Sequence, residues 1–151
     1  MKSQFMVKAK VPETKEWIKG YFCELLDHQK RLLPHVQVVT QIGTGHNVAF
    51  YVIDPDSVCR SIVYEDKYNN PIFEDDLLVL DKNVFVDSLH NQGLINLDTL
   101  HEILDYLGNE NQNIHLSVDN SMVFVEESVF GSYRHCEIPL HQAEIVGNLK
   151  D

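Results

Sequence analysis

Residues 69–80, NNPIFEDDLLVL, decide how this chain is read, because a turn, an acidic knuckle and an apolar run follow one another without a break. Asn69, Asn70 and Pro71 predict a tight corner: Asn tolerates left-handed backbone, and Pro fixes φ while withholding a donor. Ile72 and Phe73 are then expected to bury and Glu74, Asp75 and Asp76 to stay in water, with the Asp76 carboxylate accepting backbone N–H groups within the turn. Leu77, Leu78, Val79 and Leu80 read as a short strand buried on both faces.

The surrounding composition suits such a strand. The chain has 151 residues, 44% of them hydrophobic, enough for one domain (1–151) that folds without disulfides or metal. No apolar run approaches the ~18 residues that would span a bilayer. The opening MKSQFMVKAK has no apolar core behind its basic start, so it does not read as a secretory signal. Cys23, Cys59 and Cys136 are odd in number and contain no CxxC pair, which fits reduced thiols in a cytoplasm.

Charge is unevenly distributed. Residues 1–31 hold seven Lys or Arg against four Asp or Glu, a net of +3, while the remainder holds five against nineteen, a net of −14. Between Asn83 and Tyr133 there is no Lys or Arg at all, so a surface formed there repels duplex DNA.

Outward from the central stretch, extended structure dominates. Residues 5–11, FMVKAKV, alternate apolar and basic side chains and predict a first strand; residues 16–26 predict a second, bent or bulged at Gly20. Residues 36–42 and 48–53 predict a hairpin across GTGHN, and residues 58–64 a further strand. Leu97, Leu100, Ile103, Leu104 and Leu107 recur on one helical face, so one amphipathic helix is expected over about 97–108. Asn96 or Asp98 is placed to cap it, and Gly108 with Asn109 to close it. A polar loop follows over 109–113. A hairpin across Asp119, Asn120 and Ser121 and a last strand at 144–147 complete the chain. The fold class expected is therefore mainly β: short, strongly bent strands closing into a small barrel or barrel-like sheets, with one inserted helix.

Three blocks of this sequence together resemble the YopX-like family of phage and prophage proteins. They are KAKVPETKEWIKGYF (8–22), IDPDSVCRSIVYEDKYNNPIFEDDLL (53–78) and EIVGN (144–148), in matching order and spacing. Trp17, Gly20, Tyr21, Ile72, Phe73, Glu74, Asp76 and Gly147 fall within them as structural residues. Departures are Cys59, Ser61 and Val63, where the family usually has Gly, Tyr and Gly, and Asp75, where it has Gly. The resemblance implies a mainly β fold encoded by a phage or prophage; with no secretory signal read in the sequence, the protein is expected to act in the host cytoplasm. It implies no catalytic residues.

Chemistry is sparse. Glu74, Asp75 and Asp76 with Asp66 and Asp81 invite a divalent-cation site, but their spacing fits no Ca²⁺ loop, and solvated or turn-holding carboxylates are the expectation. Among eight histidines, His101 with Asp105, and His135 and His141 around Cys136, complete no zinc pattern; the role of that last group stays open. A nucleophilic Cys59 or Cys136 would need a His base that sequence does not place. Lys2, Lys8, Lys10, Lys15 and Lys19 beside Phe5, Trp17 and Tyr21 suggest single-stranded nucleic acid as one alternative, and lysines guarding an edge strand over an aromatic core as the plainer one. An enzyme or metal-binding protein is the other alternative. The expectation is a non-catalytic binding protein without cofactor or metal. Asp98, Glu102 and Asp105 on the polar side of the helix would face a basic host or phage protein. The charge asymmetry also suggests a homo-oligomer in which a basic edge meets an acidic face.

Overall fold

The computed structural model describes residues 5–108, 113–126 and 131–151, and the side chains of Ile42 and Leu107 are not among what it describes. Lys2, and residues 109–112 of the loop expected over 109–113, lie outside these residues, while Asn113 begins a strand rather than ending that loop. The chain is mainly β, and it divides into two compact units, one ending at Ser61 and the other Ile62–Asp151.

In the first unit β1 (Met6–Lys10), β2 (Trp17–Leu26), β3 (Leu32–Ile42), β4 (Gly45–Val52) and the start of β5 (Cys59–Glu65) form an antiparallel sheet in the order β4-β3-β2-β1-β5. Alternation sets its faces. Val7 and Ala9 point one way and pack with Val36 and Ile53, while Lys8 and Lys10 point the other way beside Trp17 and Lys19. Because β1 pairs with both β2 and β5, its lysines do not guard an edge; that expectation is corrected. Gly20 is required by a close approach: a Cβ there would lie 2.3 Å from the Gln37 carbonyl oxygen and 2.7 Å from Val36 Cγ1. The expected hairpin is longer than its apolar core suggested, since β3 and β4 pair from His35–Val52 to Ile42–Gly45 across a two-residue turn.

In the second unit, β6 (Pro71–Phe73) lies beside β5, and a five-stranded antiparallel sheet runs β10 (Ser132–Arg134), β9 (Met122–Val125), β8 (Asn113–Val118), β7 (Asp76–Asp81), β11 (Glu144–Asn148). Leu78 and Leu80 on β7 pair with Leu116 and Ile114 on β8 and bury completely or nearly so, whereas Leu77 and Val79 on the opposite face are only half-buried. The run expected to bury on both faces thus buries on one.

That buried face is covered by two helices rather than one. α1 (Lys82–Asn91) escaped the sequence reading because Val84-Phe85-Val86 has strand-like composition. Its signals were local: the Asp81 carboxylate accepts from the N–H groups of Asn83 and Val84, and Gly93, at φ 76, closes the other end as Leu94 N–H donates to the Leu89 carbonyl. Phe85, Val86 and Leu89 enter the core, with Phe85 edge-on to Tyr133 at 5.9 Å. α2 (Leu97–Leu107) is the expected helix, N-capped by Asn96 through Thr99 N–H at 2.8 Å. Leu100 and Ile103 bury and Leu104 packs against the core, but Leu97 is exposed. Lys82 joins the two helices, since its ammonium donates to the Gly108 carbonyl at the end of α2.

The expected barrel closure is not made. Among the described residues β4, β10 and β11 each border a single neighbouring strand, so the sheets are open. In the second unit helices supply the cover that closure would otherwise provide.

Candidate functional site

The acidic knuckle is built by turns that consume its own carboxylates. Asp76, expected in water, is instead fully buried, because its carboxylate finds donors inside the fold: Oδ2 accepts Phe73 N–H at 2.8 Å and Oδ1 accepts from Asn148 Nδ2 at 2.9 Å. Asp75 stands at φ 67, donates its N–H to the Val118 carbonyl, accepts Leu149 N–H and pairs with Lys150 at 3.4 Å. Glu74 offers its carbonyl to Asn148 Nδ2. Asp81 caps α1, and Asp66 accepts from Tyr68 N–H, Asn70 N–H and Ile145 N–H. Burial pushes the Asp66 carboxyl up, but the N–H groups of Asn70 and Tyr68 outweigh it and hold the group below the ordinary carboxylate range. The five carboxylates therefore do not converge. Among the described residues no three His, Cys, Asp or Glu side chains are disposed to hold a metal ion.

Residues 143–148 lie against both ends of the central stretch. Lys67 N–H donates to the Ala143 carbonyl and Lys67 Nζ meets Glu144 at 3.4 Å, while Ile145 and Gly147 pair with Leu78 and Leu77 across a bulge. Ile72 and Phe73 are buried beside this junction.

His135, Cys136 and His141 line one cleft of about 680 Å³ together with Tyr64 and Lys67. His135 Nε2 lies 3.0 Å from the Asp119 carbonyl, an acceptor, so this nitrogen carries the proton; Tyr64 meets the ring edge-on at 5.7 Å. Asp119 is held below the ordinary range by the Ser121 N–H. Cys136 is exposed, whereas Cys59 is buried with its thiol directed at the Ser57 carbonyl, the setting of an inert sulfur. Val63, on the rim, is 91% exposed at φ 67, a conformation that β-branched residues rarely take.

Trp17 has the ammonium groups of Lys8 and Lys10 over its ring at 4.8 and 5.1 Å. Lys8 is itself buried, which weakens a phosphate-binding reading of that strand, although Tyr21 and Lys19 are exposed. Asp98, Glu102 and Asp105 are all exposed on the outer side of α2, with His101 beside them.

A feature that the sequence reading missed concerns the cations. The second unit contains seventeen Asp or Glu and four Lys or Arg. Each of the four is engaged within the unit: Lys67 with Glu144, Lys82 with the Gly108 carbonyl, Arg134 with Glu137 and Lys150 with Asp75. Only charge counting by unit would have signalled it, because the pairs join residues far apart as well as near.

Comparison with protein-family models, with curated proteins and with solved structures gives no match. Among the described residues no helix is long and apolar enough to cross a membrane.

Proposed function

We propose that this chain is a YopX-like, phage- or prophage-encoded protein that acts by binding rather than catalysis, and that the exposed carboxylates of its second unit dock a basic protein surface. The observation that carries the reading is the internal engagement of all four cations of that unit, which leaves Asp98, Glu102 and Asp105 on α2 with no cationic side chain between residues 83 and 133 to offset them. Such a field speeds encounter with a cationic partner and makes binding salt-dependent.

Two features support the family assignment. The blocks 53–78 and 144–148 meet through Asp76 and Asn148. At Val63 and Asp75, where the resembling family carries Gly, the backbone has φ 67 in each case, so the conformation that favours Gly is kept where the Gly is not. Cys59 departs without this signature and fills a buried position instead.

The test reverses Asp98, Glu102 and Asp105 to Lys and repeats a host-lysate pull-down at low and high salt. Loss of the salt-sensitive partners is expected; retention with the same salt response removes this face as the contact. A second reading, single-stranded nucleic acid on the first unit, rests on Trp17 between Lys8 and Lys10 with Tyr21 exposed nearby. Trp17 is the single tryptophan, so unchanged emission on titration with an oligonucleotide disposes of it.

A further inference from the structure

We propose that β4 is a self-association edge, along which two copies of this chain pair antiparallel about a two-fold axis. β4 ends the sheet of the first unit, with β3 on one side and no strand on the other among the described residues. Its two-residue turn makes Ile42 and Gly45 a hydrogen-bonded pair, and antiparallel ladders alternate. The N–H and C=O groups of His46, Val48, Phe50 and Val52 therefore point away from β3, along the edge. Natural edges of this length carry Lys, Pro or a bulge that deters pairing. The sequence GHNVAFYV carries none of these, and its register with β3 is continuous.

The same residues present apolar side chains to one face. Val48, Phe50 and Val52 are 45, 50 and 45% exposed, and Val39, cross-strand from Val48, is 47% exposed. The occupant follows from charge. From Leu32 to Ile53 there is no Asp, Glu, Lys or Arg, in a chain that is 23% charged with a net of −11. A charged partner finds nothing to pair with on this hairpin. Two copies of a strongly acidic chain, by contrast, meet at least electrostatic cost where charge is absent, and a strand is its own antiparallel complement. Pairing Phe50 with its symmetry mate sets Val48 opposite Val52 of the second copy, brings outward amides into register and joins the apolar faces.

Sedimentation or light scattering of the full chain at micromolar concentration should give twice the 17.4 kDa chain mass. Phe50→Pro removes an outward donor at an edge position that tolerates Pro, and should give a monomer with an unchanged circular dichroism spectrum. Val48→Lys with Phe50→Lys, both at exposed sites, should do the same through charge and carries the test if the Pro variant does not fold. Amide exchange should slow with concentration at His46, Val48, Phe50 and Val52 and not at Asn47, Ala49 or Tyr51. A monomeric wild type, or a dimer that survives the double Lys substitution, overturns the proposal.

Discussion

Asn148 Nδ2 donates to Asp76 Oδ1 at 2.9 Å, a buried bond between residues 72 positions apart that ties the last strand to the knuckle at the centre of the chain. Both partners are more than nine-tenths buried; removing Asp76 takes the acceptor from Phe73 N–H and Asn148 Nδ2, and removing Asn148 takes a donor from the buried carboxylate. Asp76→Ala should cost about 2 to 4 kcal/mol and Asn148→Ala about 2 kcal/mol, with the double variant losing less than the sum. Denaturant unfolding of the four proteins measures the coupling. Strict additivity would show that the two side chains act separately.

Val63, whose side chain is 91% exposed, sits at φ 67. Val63→Gly should stabilise by about 1 kcal/mol, the relief of left-handed strain exceeding the entropy that Gly adds to the unfolded chain. Asp75→Gly should be close to neutral, because it relieves the same φ but gives up the contact with Lys150. A lower melting temperature for Val63→Gly would mean that the left-handed backbone costs the folded state less than Gly costs through the unfolded chain.

Gly20 has no room for a methyl group. Gly20→Ala should destabilise by ~3 kcal/mol, since the nearest obstacle is the Gln37 backbone oxygen rather than a flexible side chain. Thermal melting of the variant checks this, and wild-type behaviour would mean that β3 runs farther from β2.

Acid should weaken the fold through Asp66 and Asp119, both held below their ordinary value of 3.8. A depressed folded-state pKa means that the unfolded chain binds protons first. The stabilisation is complete above the ordinary carboxylate value and is lost as pH falls through the folded one. Melting temperature should therefore drop as pH is lowered past about 4. Asp66→Asn should be less stable at neutral pH but fall less steeply in acid. An unchanged acid slope would remove Asp66 from the account.

What the sequence by itself determined is local. Alternation in FMVKAKV, the left-handed tolerance of Asn69, the Asp119 turn and the three-and-four spacing of Leu100, Ile103 and Leu104 each specify an element and its inner face, because backbone sterics and periodicity act over a few residues. The acidic bias of the second half is equally legible. Tertiary structure alone decided whether each apolar face finds a cover. Val84-Phe85-Val86 has strand-like composition yet is helix, since Asp81 and Gly93 cap it and the β7–β8 face needs a lid. VAFYVI at 48–53 is a continuous apolar run, yet Val48, Phe50 and Val52 remain exposed at a sheet edge. Asp76 was legible as a turn residue, but its partner Asn148 was not, because a contact across 72 residues leaves no periodic trace in one sequence.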